Sequence, residues 1–140
     1  MKKIIMLLIV LAGINLQAVT VSDELLDAIA DVESFGQLNR DTCIGDNGNA
    51  VGRYQIWKIY VDDVNRFSKV KFTYDCRKNA VKSRQIVKAY LIHYGERYER
   101  LTGKKANDEV LARIHNGGPN GWKKEATLKY WKKVQRRKND

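Results

Sequence analysis

Two carboxylates in the first third of the chain have the types and the spacing that cleavage of a glycosidic bond requires. Glu33 ends an apolar segment, and Asp46 follows in the polar turn sequence of residues 45–49. A carboxyl group at the edge of an apolar helix face loses hydration, which favours its protonated form, so Glu33 is a candidate general acid. Asp46 should stay ionised and can stabilise or attack a cationic sugar carbon. Carboxyl groups about 5 Å apart would give retention, and a wider spacing inversion.

Each carboxylate also has an ordinary structural explanation. Glu33 fits the end of an amphipathic helix with its tip in water, and Asp46 fits a residue that holds its own turn through side-chain to backbone hydrogen bonds. The helix alone favours the structural explanation for Glu33. The second acid in the following loop shifts the balance toward catalysis.

The elements that position these acids are predicted to be helices, in a single domain of the mainly α class. Ser22 is a good N-cap and Gly36 a good stop for the first helix, with Leu25, Ile29 and Val32 on one face. Helices are predicted over residues 23–34, 79–101, 107–114 and 123–136, and residues 54–66 should begin extended and become helical. The glycine-rich residues 115–121 are predicted to form a tight turn.

The beginning of the chain has the layout of a secretory signal peptide. Lys2 and Lys3 precede an apolar run over residues 4–13, and Leu16-Gln17-Ala18 follows. The run is shorter than the roughly 20 residues of a membrane span. We therefore predict a signal peptide over residues 1–18, a catalytic domain over 19–140, and a secreted or periplasmic protein. An uncleaved anchor is the alternative.

Cys43 and Cys76 are the only cysteines. In an oxidising compartment they are expected to form a disulfide, which would stabilise the fold by roughly 4 kcal/mol in the chain-entropy model. The alternative is two free buried thiols. No cysteine spacing with His93 or His115 fits a zinc site, so neither a metal nor another cofactor is expected.

The chain carries a formal net charge of +10, or +8 without Lys2 and Lys3. An exported protein with this excess should associate with anionic cell-wall polymers or anionic membranes, whereas export argues against nucleic acid as a partner. The basic run 136–138 is predicted to be a solvated end. The protein is expected to be a monomer.

Four segments resemble a known group of enzymes. Residues 33–36 (ESFG) and 52–56 (GRYQI) resemble the "ES-G … G-YQI" pattern of lysozyme-like muramidases and lytic transglycosylases. Residues 112–121 (ARIHNGGPNG) and 126–135 (ATLKYWKKVQ) are similar to the C-terminal half of invertebrate-type lysozymes, the destabilase family. The resemblance covers about residues 24–135.

The resemblance implies a lysozyme-like fold, with polar loops that line a glycan cleft. It implies cleavage of the β-1,4 bond between N-acetylmuramic acid and N-acetylglucosamine in peptidoglycan strands. Glu33 matches the catalytic acid, and Asp46 lies in the loop that holds the second carboxylate. The residues that match the two sides of the cleft are Tyr54, Gln55, His115 and Asn116.

The sequence departs from the invertebrate-type pattern in four places. It has two cysteines instead of many, Phe35 replaces a glycine common in the motif, Trp122 stands where a cysteine is usual, and the GDNG loop is more like transglycosylase sequences. In those enzymes a single glutamate suffices and the 6-hydroxyl of the sugar attacks, which gives a 1,6-anhydro product. Two further alternatives are a wall-binding protein without catalysis and a cationic protein that kills through its charge alone.

Aromatic side chains could stack on sugar rings or pack in the core. Trp131 lies at helical spacing and favours the core, whereas Trp57 and Trp122 are candidates for either role.

Overall fold

The structure, a computed structural model, describes residues 17–139. The predicted signal peptide therefore lies almost entirely outside the described residues. Five helices dominate, which confirms the mainly α class: α1 Asp23–Ser34, α2 Lys58–Phe67, α3 Ala80–Thr102, α4 Asp108–Gly117 and α5 Thr127–Asn139. A short hairpin joins β1 (Ile44–Gly45) to β2 (Ala50–Val51), with Ile44 opposite Val51 and Gly45 opposite Ala50.

Local signals set the ends of α1 as predicted. The Ser22 hydroxyl accepts a hydrogen bond from the Leu25 amide at 3.1 Å, which satisfies one of the free donors of the first turn. Gly36 follows the helix with φ +80°, a conformation that glycine adopts without strain. Asn79 and Asn107 cap α3 and α4 in the same way as Ser22 caps α1.

The helices pack around one apolar core. Helix α1 packs on α5, α4 packs on both α3 and α5, and α2 packs on α3. Fully buried side chains come from each of these elements, among them Leu26, Val61, Leu91, Ile114 and Val134. Burying a side chain of this size contributes about 1.5–3 kcal/mol. This packing brings the ends of α1 and α4 against α5, and the functional residues lie there.

Residues just after the predicted cleavage position belong to the core. Val19 and Val21 are buried. Val19 lies so close to Gly95 on α3 that a Cβ atom at Gly95 would be 3.0 Å from Val19 Cγ1. Among the described residues, no helix combines the length and the apolar character needed to cross a membrane.

The glycine-rich segment after residue 114 differs from the predicted turn. Helix α4 continues through His115, Asn116 and Gly117, and the turn begins only at Gly118. A glycine fits at position 117 because α5 approaches it closely: a Cβ atom there would lie 2.6 Å from Thr127 Cγ2. Helix α5 begins at Thr127, later than predicted, after a 3₁₀ turn over Gly121–Lys123.

Cys43 and Cys76 are free thiols, so the predicted disulfide between them is not formed. Cys43 Sγ is 3.2 Å from the Arg40 carbonyl oxygen and accepts from Gln55 Nε2 at 3.3 Å. Cys76 Sγ contacts Thr73 Oγ1 at 3.4 Å. Each sulfur therefore has polar partners in its own part of the chain, and the structure contradicts the predicted pairing.

Gly52 provides a stability test of the hairpin region. Its φ is +81°, and a Cβ atom would lie 2.0 Å from the Arg77 carbonyl oxygen. Gly52→Ala should lower the free energy of unfolding by about 3 kcal/mol, because backbone strain adds to overpacking against a carbonyl that cannot move away. Gly36→Ala is the matched control: its φ is +80° with no atom within 4 Å, so it should cost only about 1 kcal/mol. Equal losses in urea denaturation would contradict this close backbone contact.

Candidate active site

A cleft of about 660 Å³ runs between the hairpin side of the molecule and helices α2, α3 and α4. Its lining combines carboxylates, amides and aromatic rings, a composition that suits a polar ligand with flat faces. The lining residues are Glu33, Asp46, Ala50, Gln55, Trp57, Ile59, Tyr60, Asp63, Arg66, Tyr90, Tyr94, His115, Asn116, Gly118 and Pro119.

Glu33 lies in the last turn of α1, with its side chain 19 % exposed. This position at the edge of the apolar face is the one that the helical spacing predicts. Tyr130 donates a hydrogen bond to Glu33 Oε1 at 2.7 Å, and His115 Nε2 lies 3.5 Å from the same oxygen. Both contacts engage Oε1, so Oε2 is the oxygen that is left to carry a proton.

The hydroxyl of Tyr130 is a permanent donor to this carboxyl group. Burial raises the pKa of Tyr130 well above its usual value, and the nearby charge of Glu33 raises it further. The hydroxyl therefore keeps its proton at neutral pH and donates a hydrogen bond to Oε1. Tyr130 belongs to α5, so the hydrogen bond joins the first and last helices at the cleft.

His115 lies between Glu33 and Tyr60, with its side chain only 4 % exposed. The Tyr60 hydroxyl is 3.1 Å from His115 Nδ1. Burial raises the pKa of Tyr60 well above its usual value, with smaller contributions from Tyr90 and Glu33. A hydroxyl that keeps its proton can donate to Nδ1 of the neutral imidazole. This tautomer places the ring N–H on Nε2, facing the Glu33 carboxyl.

A row of tyrosines forms the wall beyond His115. Tyr60 stacks on Tyr90 with ring centroids 3.7 Å apart, and Tyr90 contacts Tyr94 at 4.6 Å. Tyr94 donates to Asp63, which also pairs with Arg66. Burial, followed by the hydrogen bond to Asp63, raises the pKa of Tyr94 to about 12.

The sequence did not reveal this wall. Tyr90 and Tyr94 fit the apolar stripe of a long helix, and Asp63 fits a helix-surface acid. The available signal was weak: Tyr60 and Asp63 are three residues apart on α2, so they share one face, as do Tyr90 and Tyr94 on α3. Only the packing of α2 on α3 makes the two faces meet.

Asp46 is exposed on the hairpin turn and lines the cleft. The turn is closed by the backbone, since the Asn49 amide donates to the Asp46 carbonyl at 3.1 Å. The carboxylate is therefore not needed to hold the turn. Asp46, Asn47 and Gln55 all have positive φ, of 47°, 53° and 47°. Such conformations cost about 1–2 kcal/mol each in non-glycine residues and often accompany functional sites.

The carboxamide of Gln55 is fixed in one orientation. Its Nε2 donates to the Gly52 carbonyl at 2.9 Å and to Cys43 Sγ at 3.3 Å. Its Oε1 packs on Gly45, where a Cβ atom would be only 2.1 Å away. Gly45 is thus required for the position of Gln55, which explains one glycine of the predicted polar loop.

Ser34, which follows Glu33, fastens the end of α1 to the chain before Gln55. Its buried hydroxyl lies 3.0 Å from the Ala30 carbonyl and 2.9 Å from the Arg53 carbonyl, and it accepts from Arg40 Nε at 3.0 Å. The serine of the ESFG segment therefore sets the distance between the candidate acid and the Gln55 turn.

Five of the six predicted site residues lie around one cleft: Glu33, Asp46, Gln55, His115 and Asn116. Tyr54 does not, and the prediction that it lines the cleft is wrong. Its ring is fully buried, and its hydroxyl accepts from Arg84 at 3.2 Å. In the turn over residues 52–55, Tyr54 packs into the core while Gln55 reaches the cleft. Among the tryptophans, Trp57 lines the cleft, and Trp122 and Trp131 pack against the core.

Comparisons with known proteins identify similar chains. The family model described as Destabilase matches residues 22–137. The lysozyme of Ostrea edulis is 29 % identical, over 96 % of this chain and 94 % of that protein. Invertebrate-type lysozyme 6 of Caenorhabditis elegans is 32 % identical, over 89 % and 94 %. The lysozyme of Magallana gigas is 37 % identical over a shorter stretch, 59 % of this chain and 56 % of that protein.

Solved structures show the same fold. The crystal structure of Tapes japonica lysozyme superposes with a TM-score of 0.63 at 31 % identity and covers 81 % of this chain and 88 % of that one. Meretrix lusoria lysozyme, solved in complex with Aeromonas hydrophila PliI, gives a TM-score of 0.66 at 28 % identity, over 86 % and 93 %. The predicted lysozyme-like fold is therefore confirmed.

Tyr130→Phe tests whether the buried hydroxyl sets the reactivity of Glu33. A hydrogen bond to a charged group is worth about 1.5–3 kcal/mol, so its loss should lower kcat for cleavage of purified cell walls by about tenfold or more. KM should stay constant, because Tyr130 is buried behind Glu33 and does not line the cleft. Tyr98→Phe is the control, since that ring packs on Trp122 and has no contact with Glu33. Equal kcat values for the two variants, with both folded by circular dichroism, would contradict the role of Tyr130.

Proposed function

The chain belongs to the Destabilase family, and we propose that it cleaves peptidoglycan by general acid catalysis from Glu33. It is a lysozyme-type glycoside hydrolase, a muramidase acting on the β-1,4 bond between N-acetylmuramic acid and N-acetylglucosamine. The observation that supports the role of Glu33 is its position in the cleft, with one carboxyl oxygen hydrogen-bonded by Tyr130 and approached by His115 Nε2 at 3.5 Å.

Glu33 Oε2 carries the proton that reaches the bridging oxygen. As this proton moves, the bond from the muramyl C1 carbon to that oxygen breaks, and the N-acetylglucosamine side leaves with a free 4-hydroxyl. Negative charge then develops on the carboxyl group. Tyr130 already donates to Oε1 and His115 Nε2 lies 3.5 Å from it, so one donor is in place for this charge before the reaction begins and a second can approach.

Asp46 stabilises the positive charge that develops on the sugar. It is the exposed carboxylate on the hairpin turn of the cleft and remains available to the oxocarbenium ion as a stabiliser or as a nucleophile. Positive φ angles at Asp46 and Asn47 keep the turn in a conformation that other sequences would rarely adopt. Water then completes hydrolysis.

The remaining cleft residues position the glycan. The fixed carboxamide of Gln55 can orient the attacking water or an acetamido group, and Asn116 adds a second amide on the α4 side. Trp57 is 45 % exposed on the cleft and offers a flat face for a sugar ring. Tyr54 does not help to position the glycan, since its ring is in the core.

The protein acts outside the cytoplasm after removal of residues 1–18. The pattern of those residues supports this location, and so does the packing of Val19, which places the core directly after the predicted cleavage position. Peptidoglycan strands are the substrate there, and the net positive charge favours anionic wall polymers as further partners.

Isosteric amide variants separate the roles of the two carboxylates. Glu33→Gln should lower the rate of wall clearance by about 10³-fold, since no proton can be given to the leaving oxygen. Asp46→Asn should lower it by about 10²-fold, through loss of charge stabilisation. Asp62→Asn is the control, because Asp62 is exposed on α2, bonds Tyr74 and does not line the cleft. Bactericidal action that survives Glu33→Gln and disappears at high salt would favour killing by charge alone.

The chemistry of the product distinguishes hydrolysis from transglycosylation. With Asp46 in the cleft, digestion of purified walls should give muropeptides with reducing muramic ends, which mass spectrometry identifies by the mass of one added water. Predominantly 1,6-anhydro ends, with Asp46→Asn fully active, would instead show that the sugar's own 6-hydroxyl attacks.

A further inference from the structure

A second groove lies on the opposite face of α1 from Glu33. Its volume is about 440 Å³, and its lining residues are Asp31, Val32, Phe35, Lys133, Arg136 and Arg137. At about 100° per residue, Asp31 and Phe35 project roughly 160° away from Glu33 around α1. The groove and the cleft are therefore two separate concavities on either side of this helix.

The wall contributed by α5 is strongly basic. Lys133, Arg136 and Arg137 are exposed, and Lys129 and Lys132 extend the same face by one turn. The helix contains no acidic residue over Thr127–Asn139. Side chains three or four residues apart stand about 5–6 Å apart along the axis, so these cations form a continuous row.

Among the described residues, Lys133, Arg136 and Arg137 form no ion pair, and Arg136 Nε donates only to the Lys132 carbonyl of its own helix at 3.3 Å. In the part of the chain that the structure describes, the ion pair of α5 is the one between Lys138 and Asp108, on another side of the helix. The single acid of the groove, Asp31, already has a cation of its own, because Arg40 Nη2 lies 2.8 Å from Asp31 Oδ1. Cations near a helix C-terminus do favour the helix dipole, but that effect does not require a concave surface.

Phe35 gives the groove an ordered edge. Its ring is 63 % exposed, and the Arg137 guanidinium carbon lies 4.4 Å from the ring centroid, within the range of a cation–π contact. The stacking holds the guanidinium in place while its N–H groups stay free to bind an anion. Residues 136–138 are exposed, as their composition predicts for a solvated end, but they belong to the last turn of α5 and Arg137 is held by Phe35.

We propose that this groove binds a linear cell-wall polymer of phosphodiester-linked polyols. A row of cations beside a concave surface suits a chain of repeated phosphates, since successive side chains can meet successive anionic groups. A bilayer surface fits less well. Insertion would need a broad free apolar face on α5, whereas Tyr130 and Val134 are buried against the core and Leu128 alone is 38 % exposed.

The groove leaves the cleft open while it holds the wall. Tyr130, which bonds Glu33, and Lys133, which lines the groove, are on adjacent turns of α5. A polymer bound at the groove would keep the enzyme on the wall while glycan strands enter the cleft on the other face. The site goes beyond the proposed muramidase activity, because binding there requires no catalysis.

The test compares two variants that each remove three positive charges. The groove variant is Lys133→Gln/Arg136→Gln/Arg137→Gln, and the control is Lys82→Gln/Lys88→Gln/Lys104→Gln, three exposed lysines outside both concavities. Binding is measured by cosedimentation with Gram-positive walls and with the same walls after cold hydrofluoric acid removes the phosphodiester polymer. The unaltered protein should bind intact walls about tenfold more tightly than stripped walls.

The groove variant should lose this tenfold preference, and its salt dependence on intact walls should become shallower by about 2 in log–log slope, close to 0.7 per phosphate contact. The control should keep most of the preference. Equal losses in both variants would overturn the proposal, since net charge alone would then explain binding. If the groove variant lost binding to phosphatidylglycerol vesicles but still preferred intact walls, the proposal would also be overturned, in favour of a membrane site.

A second assay measures hydrolysis of a soluble, uncharged N-acetylglucosamine oligomer. It distinguishes failure of the groove proposal from failure of the muramidase proposal. The groove variant should hydrolyse the oligomer at the rate of the unaltered protein, because its three residues lie outside the cleft. A protein that cleaves neither walls nor oligomer but keeps its preference for intact walls would refute the catalytic proposal and leave the groove standing.

Discussion

The hydrogen bond from Tyr130 to Glu33 is the contact on which the site depends. It spans 2.7 Å between residues 97 positions apart in the sequence and joins the last helix to the end of the first. Because Tyr130 is buried, its hydroxyl stays protonated and can only serve the carboxyl group as a donor. The reactive oxygen is thereby selected by the packing of α1 on α5. His115 reaches the same oxygen from α4, so three helices converge on one carboxyl group.

The opposite side of the cleft is held by different means. A short hairpin, three positive φ angles and two closely packed glycines fix Asp46 and Gln55. Ser34 connects the two sides, since its hydroxyl contacts the Arg53 carbonyl directly before the Gln55 turn. Backbone strain on one side and helix packing on the other therefore set the geometry of the acid and the second carboxylate together.

Charge is distributed unevenly over the molecule. The chain has an excess of ten positive charges, yet the cleft is lined by Glu33, Asp46 and Asp63 against Arg66 as its cation. A neutral glycan can enter such a cleft without competition from the anionic polymers that the rest of the surface attracts. The cations concentrate elsewhere, most densely along α5. Attachment to the wall can thus depend on the groove, while cleavage of its strands depends on the cleft on the other side of α1.

The sequence by itself determined whatever is encoded locally. The cap at Ser22, the stop at Gly36 and the spacing of apolar residues predicted α1 and the partial burial of Glu33. The segments over residues 112–121 and 126–135 indicated the family. Tertiary structure alone decided the partners of Glu33, the tyrosine wall, the burial of Tyr54 and the free state of the two thiols. Each of these depends on which faces of distant segments meet, and the periodicity of a single helix carries no information about that.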